Sequence, residues 1–132
     1  MIRIQNYRWP SDIPMNEKGY QGVVFFLHDF TDYVGRQTFT ARQFAGMGYD
    51  FYGMDMRGHG MSEGTPAFHD SIEVLAEDFS HYMIKILDAF YCNEQGEYSI
   101  PPVCLFAEGH GAMVALHFLL NNQQILKNEE KL

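Results

Sequence analysis

Three short apolar segments, each followed by a helical pattern, constrain the fold of this chain more than any other feature. The apolar segments, which predict strands, span residues 22–28, 49–55 and 102–106. The helical patterns that follow them span residues 38–47, 70–91 and 111–120. This alternation is typical of a parallel sheet with helices on its faces. We therefore predict an α/β fold with a mostly parallel sheet of about four strands, in which residues 2–9 form an edge strand.

The segment 70–91 is the clearest helix in the sequence. Its apolar residues recur at spacings of three and four, which places them on one face of a helix. Asp70 and Glu73 stand three residues apart at its start and are predicted to form a capping pair for the first turn.

Composition limits the domain count and the class of partner. The chain has 132 residues, of which 46% are hydrophobic, and this favours one domain with a single core. We assign residues 1–120 to that domain and residues 121–132 to a polar C-terminal tail. The formal net charge of -8 argues against nucleic acid as a partner, because phosphate backbones attract basic surfaces.

The sequence also indicates where the protein resides. The longest purely apolar run, Val23 to Leu27, is far too short for a membrane span. The first ten residues carry no apolar core of a signal peptide, and Cys92 and Cys104 have no metal-ligand spacing, so both are expected to be reduced thiols. We therefore expect a cytoplasmic protein without a membrane span.

Two glycine-rich loops fall after predicted strands, where ligands bind in parallel sheets. GHGMSEG, from Gly58 to Gly64, invites comparison with a dinucleotide-binding fingerprint, but Glu63 replaces the third glycine and no helix follows. AEGHGA, from residue 107 to residue 112, is typical of a sharp strand-to-helix turn that projects one side chain above the sheet. Alternatively, the amides that open this helix bind an anion without catalysis.

The histidines show no pattern typical of a metal site. His110 and His117 lie two helical turns apart, and no pair with H-x-x-x-H spacing exists. We predict no metal and no cofactor.

The loops after the strands resemble those of the α/β-hydrolase superfamily, specifically its monoacylglycerol lipase and serine aminopeptidase-like branch. That branch carries the motif D-x-R-G-H-G-x-S-x-G after a G-Y pair and a strand. Every specified position of the motif is matched here by Asp55, Arg57, Gly58, His59, Gly60, Ser62 and Gly64. The resemblance extends over most of residues 20–120 and includes His28, which begins the family's H-G-x-G loop, and Gly111 in the turn before the last helix.

The resemblance implies a site that depends on a serine at the strand-to-helix turn, with a histidine as base and an aspartate that orients it. The nucleophile position is Gly109 in this chain, so no catalytic residue is assigned. By position, the backbone amides of Phe30 and His110 are those that the family uses to bind the oxyanion. Asp29 stands where the H-G-x-G loop has its first glycine.

The family's aspartate and histidine follow the nucleophile in the chain, and residues 121–132 contain neither. We therefore expect a truncated, catalytically inactive serine-hydrolase homologue corresponding to the N-terminal half of the domain. One alternative is an N-terminal piece of a working acyl-ester hydrolase that is completed by further sequence or by a partner. A third possibility is a binding or scaffold role, with self-association or a protein partner at the open sheet edge beside residues 102–106.

Overall fold

The structure is a computed structural model that describes residues 2–123 and contains four strands, three α-helices and one short 3-10 helix. In chain order these are β1 (Asn6–Trp9), β2 (Gly22–Leu27), the 3-10 helix (Val34–Gln37), α1 (Thr38–Gly46), β3 (Tyr49–Met54), α2 (Ile72–Tyr91), β4 (Val103–Ala107) and α3 (His110–Asn121). The predicted α/β class is confirmed. The predicted tail, residues 121–132, lies almost entirely outside the described residues.

The four strands form one sheet in the order β1-β3-β2-β4. β2 is central and pairs in parallel with both β3 and β4, so that Val24 lies opposite Phe51 on one side and Cys104 on the other. β1 is antiparallel to β3 and forms one edge, and β4 forms the other. The three parallel strands place the loops after β2, β3 and β4 at the same end of the sheet.

Both faces of the sheet are covered, and this explains the unbroken apolar sequence of β2. All six of its residues are buried. Val23, Phe25 and Leu27 pack into the core that includes α2 and α3. Val24 and Phe26 belong to a smaller core on the opposite face, which is covered by α1. A strand covered on both faces needs apolar residues at successive positions, without the polar–apolar alternation of a half-exposed strand.

The start of α2 differs from the prediction. The helix begins at Ile72, and Ser71 is its N-cap, with the Ser71 hydroxyl accepting a hydrogen bond from Val74 N at 3.4 Å. The proposed Asp70–Glu73 capping pair was therefore wrong. Serine is as good an N-cap as aspartate, and the pattern of apolar residues does not separate two adjacent candidates.

Among residues 2–123, no helix has the length and apolar character needed to cross a membrane.

Candidate active site at the β4–α3 turn

The candidate site lies where the loop after β2 meets the turn between β4 and α3. Asp29 follows β2 by two residues, and Gly109 and His110 mark the start of α3. These residues are about 80 positions apart in sequence, but the parallel pairing of β2 with β4 brings them into contact. Gly109 and His110 therefore both lie against Asp29.

The Asp29 carboxylate accepts hydrogen bonds from the two backbone amides that the resemblance implies for oxyanion binding. Oδ1 of Asp29 accepts hydrogen bonds from Phe30 N at 2.7 Å and from His110 N at 2.8 Å. These hydrogen bonds lower the pKa of Asp29 because they favour the ionised carboxylate, and the bond from His110 N has the larger effect. One exposed carboxylate thus accepts hydrogen bonds from both amides that the resemblance implies for an oxyanion site.

Gly109 forms the apex of the turn and has a backbone that strongly favours glycine. Its φ is 52° and its ψ is -118°. A Cβ at this position would overlap the carboxylate of Asp29. Gly111, the second residue of α3, lies so close to the end of β2 that a Cβ there would overlap the carbonyl oxygens of Leu27 and His28. Close packing of α3 on β2 therefore positions the His110 amide beside Asp29.

Asp55, the first residue of the D-x-R-G-H-G motif, is fully buried and acts as a structural centre. Its Oδ1 accepts a hydrogen bond from Val34 N at 2.8 Å, and its Oδ2 accepts bonds from Tyr7 Oη and Met61 N, both at 3.0 Å. Three donors from three different segments therefore satisfy one buried carboxylate, as burial of a charge requires.

His28 is also fully buried, and its hydrogen bonds fix its tautomer. Its Nε2 accepts a hydrogen bond from Met56 N at 2.9 Å, so the proton lies on Nδ1, which donates to the carbonyl oxygen of Asp29 at 2.7 Å. Burial lowers the pKa of His28 because it disfavours the charged ring. The ring thereby joins the loop after β2 to the loop after β3.

The remaining polar side chains of the motif bind within the protein. The Arg57 guanidinium forms a bidentate ion pair with Asp78 on α2, with distances of 2.7 and 2.9 Å. Ser62 Oγ donates to the carbonyl oxygen of Asp55 and accepts from Gln5 N. His59 Nδ1 lies 3.0 Å from the carbonyl oxygen of Arg57.

The three motif glycines shape the same loop. Gly58, Gly60 and Gly64 all have positive φ. The motif therefore builds a tightly turned loop directly after β3.

One contact at the site was not predicted from the sequence. The Nε2 atoms of His69 and His110 lie 3.0 Å apart, and their rings stack with centroids separated by 5.0 Å. Burial is the main cause of a lowered pKa of His110, and the neighbouring His69 ring lowers this pKa further. His69 and His110 are 41 residues apart in sequence, so no local spacing could reveal the pair. Within residues 2–123, no group of three or more histidine, cysteine or acidic side chains is arranged to hold a metal ion.

Comparison with known proteins supports the resemblance. The family model described as serine aminopeptidase, S33, matches residues 19–128. No curated protein matches the sequence.

Among solved structures, this chain is similar to monoglyceride lipase from Saccharomyces cerevisiae, with 20% identity and a TM-score of 0.74 over 93% of this chain and 37% of the lipase chain. It is also similar to the esterase Est1E from Butyrivibrio proteoclasticus, solved with ferulic acid, with 15% identity and a TM-score of 0.68 over 94% of this chain and 46% of Est1E. A carboxyl esterase from Bacillus coagulans matches with 18% identity and a TM-score of 0.70 over 91% and 36% of the respective chains. This chain thus spans less than half the length of each of these three structures.

Replacement of Asp55 by asparagine tests the structural role of the motif. Val34 N and Met61 N donate to different oxygens of Asp55, so either orientation of the asparagine amide places an NH2 group against an N–H donor. We expect Asp55→Asn to lower the free energy of unfolding by about 2–3 kcal/mol, measured by urea denaturation. The exposed Asp70→Asn should change it by less than about 1 kcal/mol. Equal effects of the two changes would contradict this role for Asp55.

The buried, neutral His28 should make stability depend on pH. Its folded-state pKa is lowered, so its stabilising contribution is complete above the ordinary histidine pKa of about 6.5 and is lost as pH falls from there toward the folded-state value. We expect urea midpoints to fall between pH 7.5 and pH 5.5, and to fall less in His28→Asn. His81→Asn, at an exposed position of α2, should retain the wild-type pH dependence. An unchanged slope in His28→Asn would show that another group is responsible.

Proposed function

Because this chain belongs to the serine aminopeptidase S33 family of α/β-hydrolases, we propose that it is a hydrolase homologue whose β4–α3 turn no longer supports serine acyl-transfer chemistry. The observation that carries this proposal is the pairing of Gly109 with Asp29. Gly109 supplies no nucleophile, and the carboxylate of Asp29 binds both amides of the expected oxyanion site. The contact between Gly109 and Asp29 therefore accounts both for the missing nucleophile and for the occupied oxyanion site.

The serine route has three chemical requirements, and this turn lacks the nucleophile and the free amides. An oxygen nucleophile must attack the carbonyl carbon, a base must accept its proton, and two free amides must stabilise the negative oxygen that forms. A second anion next to the Asp29 carboxylate would be repelled because both carry negative charge. It would also have to compete with that carboxylate for the same two N–H groups. Loss of the nucleophile and of the free oxyanion site would each be expected to lower the rate by orders of magnitude.

Neighbouring motif side chains are poorly placed to replace the missing groups. The Ser62 hydroxyl bonds to the backbone of Asp55 and of Gln5. Both ring nitrogens of His28 are hydrogen-bonded to the backbone. We therefore assign these residues a structural role and no catalytic one.

Treatment of the purified chain with a fluorophosphonate probe tests this proposal. We expect no covalent labelling of any serine above the level seen with heat-denatured protein, and no hydrolysis of short-chain p-nitrophenyl esters above buffer. Intact-protein mass spectrometry measures the labelling. Stoichiometric labelling of one serine in native protein, lost on denaturation, would contradict the proposal and would identify the replacement nucleophile.

A second candidate function is self-association through the open edge of β4. Within the described residues β4 pairs with β2 alone, and Val103 and Cys104 are exposed. The adjacent helix exposes Met113, Leu116 and Leu120, each by more than half of its surface. An uncharged edge strand beside an apolar helix face favours pairing with another strand, and a second copy offers the same surface in a two-fold arrangement.

Sedimentation velocity at micromolar concentration tests the open edge. We expect a concentration-dependent dimer, and we expect Val103→Lys to shift the population toward monomer because a charged side chain on an edge strand opposes pairing with another strand. Met47→Lys, at an exposed position after α1, provides the matched control and should leave the dimer unchanged. A wild-type chain that remains monomeric throughout this range would exclude the second candidate.

The relatives also keep open the alternative that this chain is the N-terminal piece of a larger hydrolase. It spans 37% of the yeast lipase and 46% of Est1E. Further sequence with an aspartate and a later histidine would supply the orienting group and the base. Gly109 would still occupy the nucleophile position, so acyl transfer at this turn would need a nucleophile from elsewhere.

A further inference from the structure

We propose that Asp29 and Gly109 together form a closing device, in which the Asp29 carboxylate occupies both the oxyanion site and the volume of the missing nucleophile side chain. This inference rests on the proposed function and explains what keeps an oxyanion or a nucleophile side chain out of this turn. Asp29 is a positioning residue in this device, since it holds the Phe30 and His110 amides in one orientation without reacting.

The steric part of the device is the mutual exclusion of two side chains. The position that a Cβ of residue 109 would take is occupied by the Asp29 carboxylate. Any residue other than glycine at 109 must displace that carboxylate, and it must also adopt a positive φ. Glycine at the apex is therefore a condition for the Asp29 carboxylate to bind the two amides.

The electrostatic part is the match between an anion and two converging N–H groups. Phe30 N comes from the loop after β2, and His110 N is the first amide of α3, where the helix dipole also favours negative charge. Asp29 is attached to the same loop as Phe30, so its carboxylate has a high effective concentration at the site. A free carboxylate or a substrate carbonyl would have to compete with this tethered group.

The geometry predicts that the two positions act together. Return of serine at position 109 alone places its side chain against the Asp29 carboxylate, so the turn must distort. Removal of Asp29 alone frees the amides without restoring a nucleophile. Only the double replacement gives the serine side chain and the amides room at the same time.

A double-mutant cycle measures this coupling. The four proteins are wild type, Asp29→Ala, Gly109→Ser and the double variant, compared by thermal unfolding. We expect Gly109→Ser to lower the Tm of wild type more than that of Asp29→Ala, by a difference of about 4 °C or more. Gly96→Ser is the matched control, because Gly96 also has positive φ but has open space around its Cβ position. Its effect should be equal in both backgrounds.

A second measurement uses proteins that retain the native turn. We expect the backbone amide proton resonances of Phe30 and His110 to shift together as Asp29 titrates, with a common midpoint below the ordinary aspartate pKa of about 3.9. In Asp29→Asn the same two resonances should lose this titration while the fold is retained. If only these two amides lose the titration, the shifts come from direct hydrogen bonds to Asp29. A general loss of stability would change the resonances of many other amides as well.

Additive effects in the cycle, or Phe30 and His110 amides that do not follow Asp29, would overturn the closing device. Neither result depends on whether the wild-type chain reacts with a fluorophosphonate. Serine labelling would overturn the proposed function, whereas an unlabelled protein with additive variants would overturn only the closing device.

Discussion

The buried carboxylate of Asp55 is the interaction on which the geometry of this end of the sheet depends. It lies directly after β3 and binds the Tyr7 hydroxyl of β1, the Val34 amide of the 3-10 helix and the Met61 amide of the following loop. A buried charge without such donors would be strongly destabilising, so the three segments must meet at this point. The loop after β2, which carries Asp29, is placed between this centre and α3.

Two aspartates after neighbouring strands have opposite roles because their surroundings differ. Asp55 is buried, and its hydrogen bonds connect β1, the 3-10 helix and the loop after β3. Asp29 is exposed, and its two amide donors are those that the resemblance implies for an oxyanion site. The same functional group thus maintains the loop structure at one position and, as we propose, fills the oxyanion site at the other.

The sequence permitted a correct prediction of the architecture because the architecture depends on local patterns. The buried strand β2 and the amphipathic helix α2 were recognisable from consecutive apolar residues and from helical periodicity. The antiparallel direction of β1 was not predicted, since a four-residue edge strand carries no information about its partner's direction. The N-cap at Ser71 was missed because two adjacent residues suited the same role.

The candidate site was only half predictable, and the reason is the distance in sequence between its parts. Motif comparison identified Gly109 and Asp29 separately, as two departures from the family pattern. Their contact depends on the register of β2 against β4, which places Leu27 opposite Ala107. Because of that register, the two departures from the family pattern complement each other. The carboxylate of Asp29 fits because residue 109 has no side chain. Once in place, the carboxylate accepts hydrogen bonds from the two N–H groups. A chain with only one of the two replacements would have either a steric overlap or no carboxylate to accept the amides of Phe30, in the loop after β2, and of His110, at the start of α3.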